Sequence, residues 1–259
     1  MRIWKEEGMQ ISIKDKQELQ YMREGGKILG QILHELERMI KPGVRCDEIN
    51  EKTEQLMKSY KVIPSFKGYK GFPSVVCTCV NENVVHAIPN QYELKEGDII
   101  TIDCGVLHKG FHTDSAITVG VGKINNEAQK LINTAEKALK KAIEILRPGV
   151  RVRTISGIIE DIIEKKGYSV IYDLTGHGIG KNLHEDPIIP NFRDEDLGPM
   201  LQEGMTIAIE PIFSMGNPEI KLLRDGWTYV TLDRSLSIQV EHTIAITEKG
   251  AEILTKRPS

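Results

Sequence analysis

The chain has 259 residues, with 34 Lys and Arg against 37 Asp and Glu for a net charge of −3. A chain of this length buries roughly three quarters of its unfolded surface and needs no outside scaffold. Its weak negative charge excludes the bulk basic field of non-specific nucleic-acid or anionic-membrane binding. Cys46, Cys77, Cys79 and Cys104 lack CxxC spacing and are too few for a disulfide framework, so they read as reduced thiols of a cytoplasmic protein.

The opening MRIWKEEGMQISIKDKQ has no apolar core of signal-peptide length. No window approaches the ~18 uninterrupted apolar residues of a membrane span. Residues 1–11 read as an N-terminal extension and 12–254 as one catalytic domain. Leu29, Leu33, Leu36 and Ile40 recur at helical spacing, and a Pro42-Gly43 turn then leads into a second helix. Ile99 to Val106 and Phe111 to Val119 read as strands around a tight turn at His108-Lys109. That turn pairs Leu107 with Gly110 and sets Asp103 opposite Asp114. Two carboxylates with Cβ atoms ~5 Å apart repel unless a positive charge lies between them. A bulge at Gly110 would slip the pairing by one residue.

The chain then repeats itself. IKPGVRCDEI at 40–49 recurs as LRPGVRVRTI at 146–155, and LKEGDIITID at 94–103 as LQEGMTIAIE at 201–210, each with five identities. The spacings are 106 and 107 residues. A repeat this long and occurring only twice indicates two related α+β halves, about 14–120 and 126–250, of one pseudo-twofold domain. Asp103 aligns with Glu210, and Asp114 resembles Glu241 as the acid opening the return strand. Alternation places Asp103 with Thr101, Asp114 with Ala116, Glu210 with Ala208 and Glu241 with Thr243, all on one face. Ile100, Ile102, Ile117, Ile207, Ile209, Ile244 and Ile246 take the other face, expected under helices. A lone acid in a strand is usually a solvated edge residue, but four at equivalent positions call for cations, and hard oxygen donors suit one or two divalent transition metals. His177 in LTGHGIG would singly be a core histidine, yet beside four acids it is a candidate ligand. The glycines of that stretch do not make a phosphate loop, because KNLHEDPIIP cannot open a long helix. His34 and His108 read as surface or packing residues, and His112 and His242 should point away from the acids.

NENVVHAIP, TIDCG with FHTDSA, TGHGIG with HEDP, AIEP, DGW and QVEHT, in this order, resemble the type I methionine aminopeptidases over residues 12–254. The resemblance implies a pita-bread fold, with an antiparallel sheet and helices on its outer face. It implies Asp103, Asp114, His177, Glu210 and Glu241 as ligands of two divalent ions (Co, Mn, Fe or Zn), with Asp114 and Glu241 bridging. It also implies that His86 meets the substrate, that His184 supports the tetrahedral intermediate, and that Tyr69, Phe72, Cys77 and Trp227 line the methionine pocket. Without the resemblance, those four would read as ordinary core residues.

The short path from Glu210 to Glu241 and the lack of a cysteine-rich N-terminal extension resemble the bacterial members. Cys104-Gly105 departs from the valine and threonine that relatives often carry after the first aspartate. The implied reaction is removal of N-terminal methionine from peptides and nascent chains by a hydroxide held between two metals, with Glu210 moving the proton. A free-amine peptide is the implied substrate, the ribosome a candidate partner, and a monomer the expected state. Two rivals are a proline-directed hydrolase of the same fold and a non-catalytic binding protein. The first usually carries an additional N-terminal domain, and the second tends to lose ligands that this chain keeps.

Overall fold

The computed structural model describes residues 10–195 and 197–258, so most of the expected 1–11 extension lies outside the described residues. The first half runs α1 (Lys16–Met39), α2 (Cys46–Tyr60), β1 (Ile63–Pro64), β2 (Val76–Val80), β3 (Asn83–Val85), β4 (Ile99–His108) and β5 (Phe111–Gly120). The second opens with α3 (Asn126–Glu144) and α4 (Val152–Glu164), followed by β6 (Ser169–Val170), β7 (Thr175–Gly178) and β8 (Glu185–Pro190). It closes with β9 (Thr206–Ile209), β10 (Ile212–Ser214), β11 (Ile220–Leu222), β12 (Tyr229–Thr231), β13 (Ser237–Gln239), β14 (His242–Thr247) and β15 (Gly250–Ile253).

Helix α1 starts in a capping box, with the Asp15 carboxylate accepting from the Gln17 and Glu18 amides and Glu18 reaching back to the Asp15 amide. Leu29, Ile32, Leu33 and Leu36 form its buried stripe and pack with Ile100, Ile102 and Ile117 from the hairpin. Leu33→Ala would cost about 2–5 kcal/mol through lost transfer energy and the cavity left behind. In the second half, Ile155, Ile159 and Ile163 of α4 meet Ile207, Ile209, Ile244 and Ile246. The isoleucine face lies under helices in both halves, as its alternation requires. Gly26 and Gly30 let the C-terminal segment cross α1, since a Cβ there would come within 2.5 Å of the Leu254 and Lys256 carbonyl oxygens. Packing therefore continues past residue 254, and Thr255 is fully buried.

The strand ladders are antiparallel: β4 pairs β5, β2 and β1, and β14 joins β15 and β9, with β7 and β8 beyond. The tight turn of the first hairpin is one residue later than expected. His108 pairs Phe111, and Lys109 and Gly110 occupy the corner with φ of 50° and 86°. Two positive φ values are the signature of a type I′ turn, which matches the twist of the strands and takes glycine readily at its second position. Asp103 consequently faces Ala116, while Asp114 faces Gly105. The two acids are diagonal neighbours rather than opposed, yet they remain on one face because the partner moved by two positions.

The repeat is visible in the backbone. Gly43 N–H donates to Leu94 O and Gly149 N–H to Leu201 O, at 2.9 and 2.8 Å. Arg45 bridges Glu93 as Arg151 bridges Met200. Across the axis, Thr243 Oγ1 donates to Asp114 O at 2.7 Å and Thr118 Oγ1 to Gln239 O at 2.6 Å. The second hairpin keeps one register across its break, with Ile212 facing Gln239 and Ile209 facing His242, so Glu210 stands opposite Glu241. Setting Asp103 on Glu210 therefore puts Ala116 on Glu241 and Asp114 on Gln239. The expected equivalence of Asp114 with Glu241 is corrected by two residues.

Candidate active site

Five side chains converge from five strand segments. Asp103 lies within β4, Asp114 within β5 and His177 on β7, while Glu210 follows β9 and Glu241 precedes β14. All five are buried and line one cavity of about 370 Å³. Asp114, His177 and Glu241 each place a donor atom within 4.8 Å of the others. Glu210 Oε1 is 3.7 Å from His177 Nε2.

Four buried acids sharing one cavity determine the local electrostatics. Burial pushes the Asp103 carboxyl up to about 7. Burial, then repulsion from neighbouring acids, holds Asp114, Glu210 and Glu241 well above the usual carboxylate range. Burial also pulls the His177 imidazole down to about 4. His177 Nδ1 lies 2.8 Å from Gly178 O, a contact that requires the proton on Nδ1 and leaves the Nε2 lone pair free. Buried oxygens of Asp103 (Oδ1) and Glu241 (Oε1) have no hydrogen-bond partner. Unpartnered carboxylate oxygens and a free imidazole lone pair fit a divalent cation.

The other expected residues line the same cavity. His184 Nδ1 and the Tyr69 hydroxyl are 2.8 Å apart, and the His184 ring lies 4.3 Å from that of His177, centroid to centroid. His184 reaches solvent at the cavity mouth, yet desolvation by the surrounding protein, then the His177 ring, lowers its imidazole to about 3. A neutral His184 accepting from Tyr69 carries its proton on Nε2. His86, with φ of 57°, meets the edge of Tyr229 with ring centroids 6.1 Å apart; it reaches solvent, yet desolvation by the surrounding protein lowers its imidazole. Phe72 and Trp227 form a T-shaped pair at 5.1 Å. Cys77 faces Asp103 across β2 and β4, and burial raises its thiol well above the usual range. Gly105 makes room for this wall, since a Cβ there would lie 3.0 Å from the Phe66 ring. His112 and His242 turn away, to Ser65 Oγ at 2.8 Å and Thr255 Oγ1 at 2.9 Å.

Sequence reasoning missed Gln239, whose Nε2 donates to Glu210 Oε2 at 3.0 Å. Alternation from Glu241 could have found it, since Gln239 shares the face of Glu241. Phe66, Lys70, Leu183 and Tyr229 also line the cavity and had no local signal.

A buried set of hard oxygen donors with one imidazole, opening on an apolar pocket, defines a metal-dependent class of site. Residues 20–248 match the model of metallopeptidase family M24. The chain is 46% identical to a methionine aminopeptidase of Clostridium perfringens, over 95% of this chain and 98% of that protein. It is 44% identical to methionine aminopeptidase 1 of Bacillus subtilis, over 95% and 99%. The crystal structure of the Thermotoga maritima methionine aminopeptidase superposes with a TM-score of 0.94 at 40% identity, covering 96% of this chain and all of that one. A prolidase of Pyrococcus furiosus gives 0.78 at 26% identity, covering 95% of this chain and 66% of that one. The chain belongs to metallopeptidase family M24 and, within it, to the bacterial type I methionine aminopeptidases, with their pita-bread fold.

Proposed function

We propose that the chain removes N-terminal methionine from peptides and nascent proteins, with Asp103, Asp114, His177, Glu210 and Glu241 holding two divalent ions. The observation that carries this reading is the cluster of Asp114, His177 and Glu241 donor atoms within 4.8 Å, in the same cavity as Asp103 and Glu210. Asp114 and Glu241 would be the ligands shared by both ions. When bound, such ions polarise the scissile carbonyl and lower the pKa of an attacking water.

The chain's own groups do the rest. Glu210, restrained at Oε2 by Gln239, offers Oε1 to carry the proton from water to the leaving amine. His184 Nε2–H donates to the oxygen that gains charge, and His86 hydrogen-bonds with the substrate nitrogen. Tyr69, Phe72, Cys77 and Trp227 enclose the methionine side chain, where a thioether against aromatic edges contributes about 0.3–1.5 kcal/mol. The substrate's neutral terminal amine would serve as a further donor to the ions these residues hold, which limits cleavage to the first residue. Residues 12–254 act as one catalytic domain of two related halves, about 14–120 and 126–250, preceded by an extension over 1–11. The protein works as a cytoplasmic monomer on free-amine peptides and on chains emerging from the ribosome. Among the described residues, no helix is long and apolar enough to cross a membrane.

Mass spectrometry on Met-Ala, N-acetyl-Met-Ala and X-Pro peptides tests this, using chelated protein reloaded with Mn, Co, Fe or Zn. Methionine release from the free Met-Ala peptide alone is expected, and it should require metal. Cleavage before proline without methionine release would favour the prolidase-like reading. No cleavage with any metal would favour a binding protein.

A further inference from the structure

Outside the cavity lining is a buried ion pair between residues far apart in sequence. Lys14 Nζ is 2.5 Å from Glu185 Oε2, with the two side chains only 1% and 7% exposed. Lys14 Nζ also donates to Ser12 O at 3.3 Å, and the Lys14 amide donates to Gly204 O at 2.8 Å. Burial lowers the Lys14 ammonium while Glu185 opposes the shift. The second Glu185 oxygen accepts the Asn182 N–H at 3.0 Å. The intervening loop closes on itself through Gly180 N–H to Asn182 O at 3.0 Å, and Gly180 O accepts the His112 N–H at 2.7 Å. The loop rests directly on the lysine, because a Cβ at Gly180 would fall 2.3 Å from Lys14 Cε.

This loop carries His184 and connects it to His177. Glu185 pairs with Gly178 where the ladder between β7 and β8 shifts register, immediately after His177. A buried ion pair is a poor source of stability, since desolvation offsets most of the attraction and apolar replacements are often neutral. Its geometric effect is specific: it anchors the residue next to His184, and neither partner lines the cavity itself. We infer that Lys14 and Glu185 are positioning residues for the reaction, holding the 180–185 loop so that His184 keeps its place between Tyr69 and His177. The inference rests on the role given to His184 in the proposed function.

The test replaces both charges together, as Lys14→Met with Glu185→Leu, so that no ion is left buried alone. It is made with His184 present and in a His184→Ala background. Turnover of a Met-Ala peptide, KM, thermal melting and histidine-selective proton–nitrogen NMR are recorded with metal bound. With His184 present, kcat is expected to fall about 10- to 100-fold, the scale of an ångström-sized misplacement, while KM changes less than about threefold. In the His184→Ala background the same replacement should cost less than about twofold, the non-additivity expected of residues acting through one another. The His184 ring signal should shift or broaden. Lys14→Arg, which keeps the charge, should recover most of the activity and covers the case in which the double replacement fails to fold. Unchanged kcat in the folded double variant overturns the inference, as does an equal loss in both backgrounds. An inactive Lys14→Arg with an unmoved His184 signal overturns it too. If His184→Ala alone keeps full turnover but the ring signal moves in the pair variant, the catalytic role of His184 falls while the positioning stands.

Discussion

The two halves share a scaffold and differ in where they carry their acids. In the first, Asp103 and Asp114 are diagonal across β4 and β5, whereas in the second Glu210 and Glu241 are directly opposed. The mirrored Thr118 and Thr243 bonds show that the backbones obey the pseudo-twofold closely at the axis. The acids do not. Glu241 takes the position equivalent to Ala116, and Gln239 takes that of Asp114. Duplication supplied a symmetric frame, and a shift of two residues along one strand made the site asymmetric. The neutral Gln239 replaces what would be a fifth acid and binds Glu210 instead.

The largest effects are expected where the symmetry is kept. Asp103→Asn and Glu210→Gln, at equivalent positions, should each lower kcat/KM by about 10³-fold or more, beyond the loss of a single oxyanion donor, with the fold intact. Circular dichroism and metal analysis check this, and full metal content with near wild-type turnover would remove either residue from the ligand set. His184→Ala should retain metal but lose about 10²-fold in turnover. Unchanged turnover would make His184 structural.

Gln239→Glu restores an acid at the counterpart of Asp114 and so tests the asymmetry itself. Loss of the amide donor to Glu210 and added repulsion should change metal affinity or activity by about 10- to 100-fold, the usual scale for groups that orient ligands. Calorimetric titration with Mn reads the affinity, and values equal to wild type would make the shift incidental. The apolar side of the cavity should respond less. Phe72→Ala or Trp227→Ala should reduce selectivity for methionine by about 1–3 kcal/mol in competition assays, the range open to a hydrophobic pocket. Loss of all activity at unchanged selectivity would assign these rings to the fold.

The smallest expected effect is on stability. Burial raises Asp103 to about 7 and holds the other three acids well above the usual carboxylate range, so the metal-free native state keeps protons that the unfolded chain releases. Stability should therefore fall as pH rises from about 4 through 7 and above. His177, lowered to about 4, acts in the opposite sense, but only below its unfolded value near 6.5. Between pH 6.5 and 8 the raised carboxyls outnumber the lowered Lys14 ammonium, which acts in the opposite sense, and chelated protein should melt a few degrees lower at the upper end. Added divalent metal should abolish the trend. A flat profile with chelator present would argue against the raised carboxyls.

What the sequence determined by itself was periodicity. Alternation assigned Ile100, Ile102, Ile207 and Ile209 to the helical side and Asp103 and Glu210 to the other, and parity survived even though the hairpin turn was misplaced. The repeats at 106 and 107 residues exposed the duplicated scaffold, because duplicated backbone contacts need the same glycines and apolar anchors. The motif resemblance pointed to His86, His184, Tyr69, Phe72, Cys77 and Trp227, which line one cavity and which no local pattern distinguishes from core residues. Tertiary structure decided the rest. The Lys109-Gly110 turn set which residues pair, and the second hairpin's register exchanged Gln239 for an acid. Lys14 reached Glu185 across 171 positions of sequence. Parity is a property of one strand and can be read along it, whereas register and long-range contact belong to pairs of segments and exist only once the chain has closed around its core.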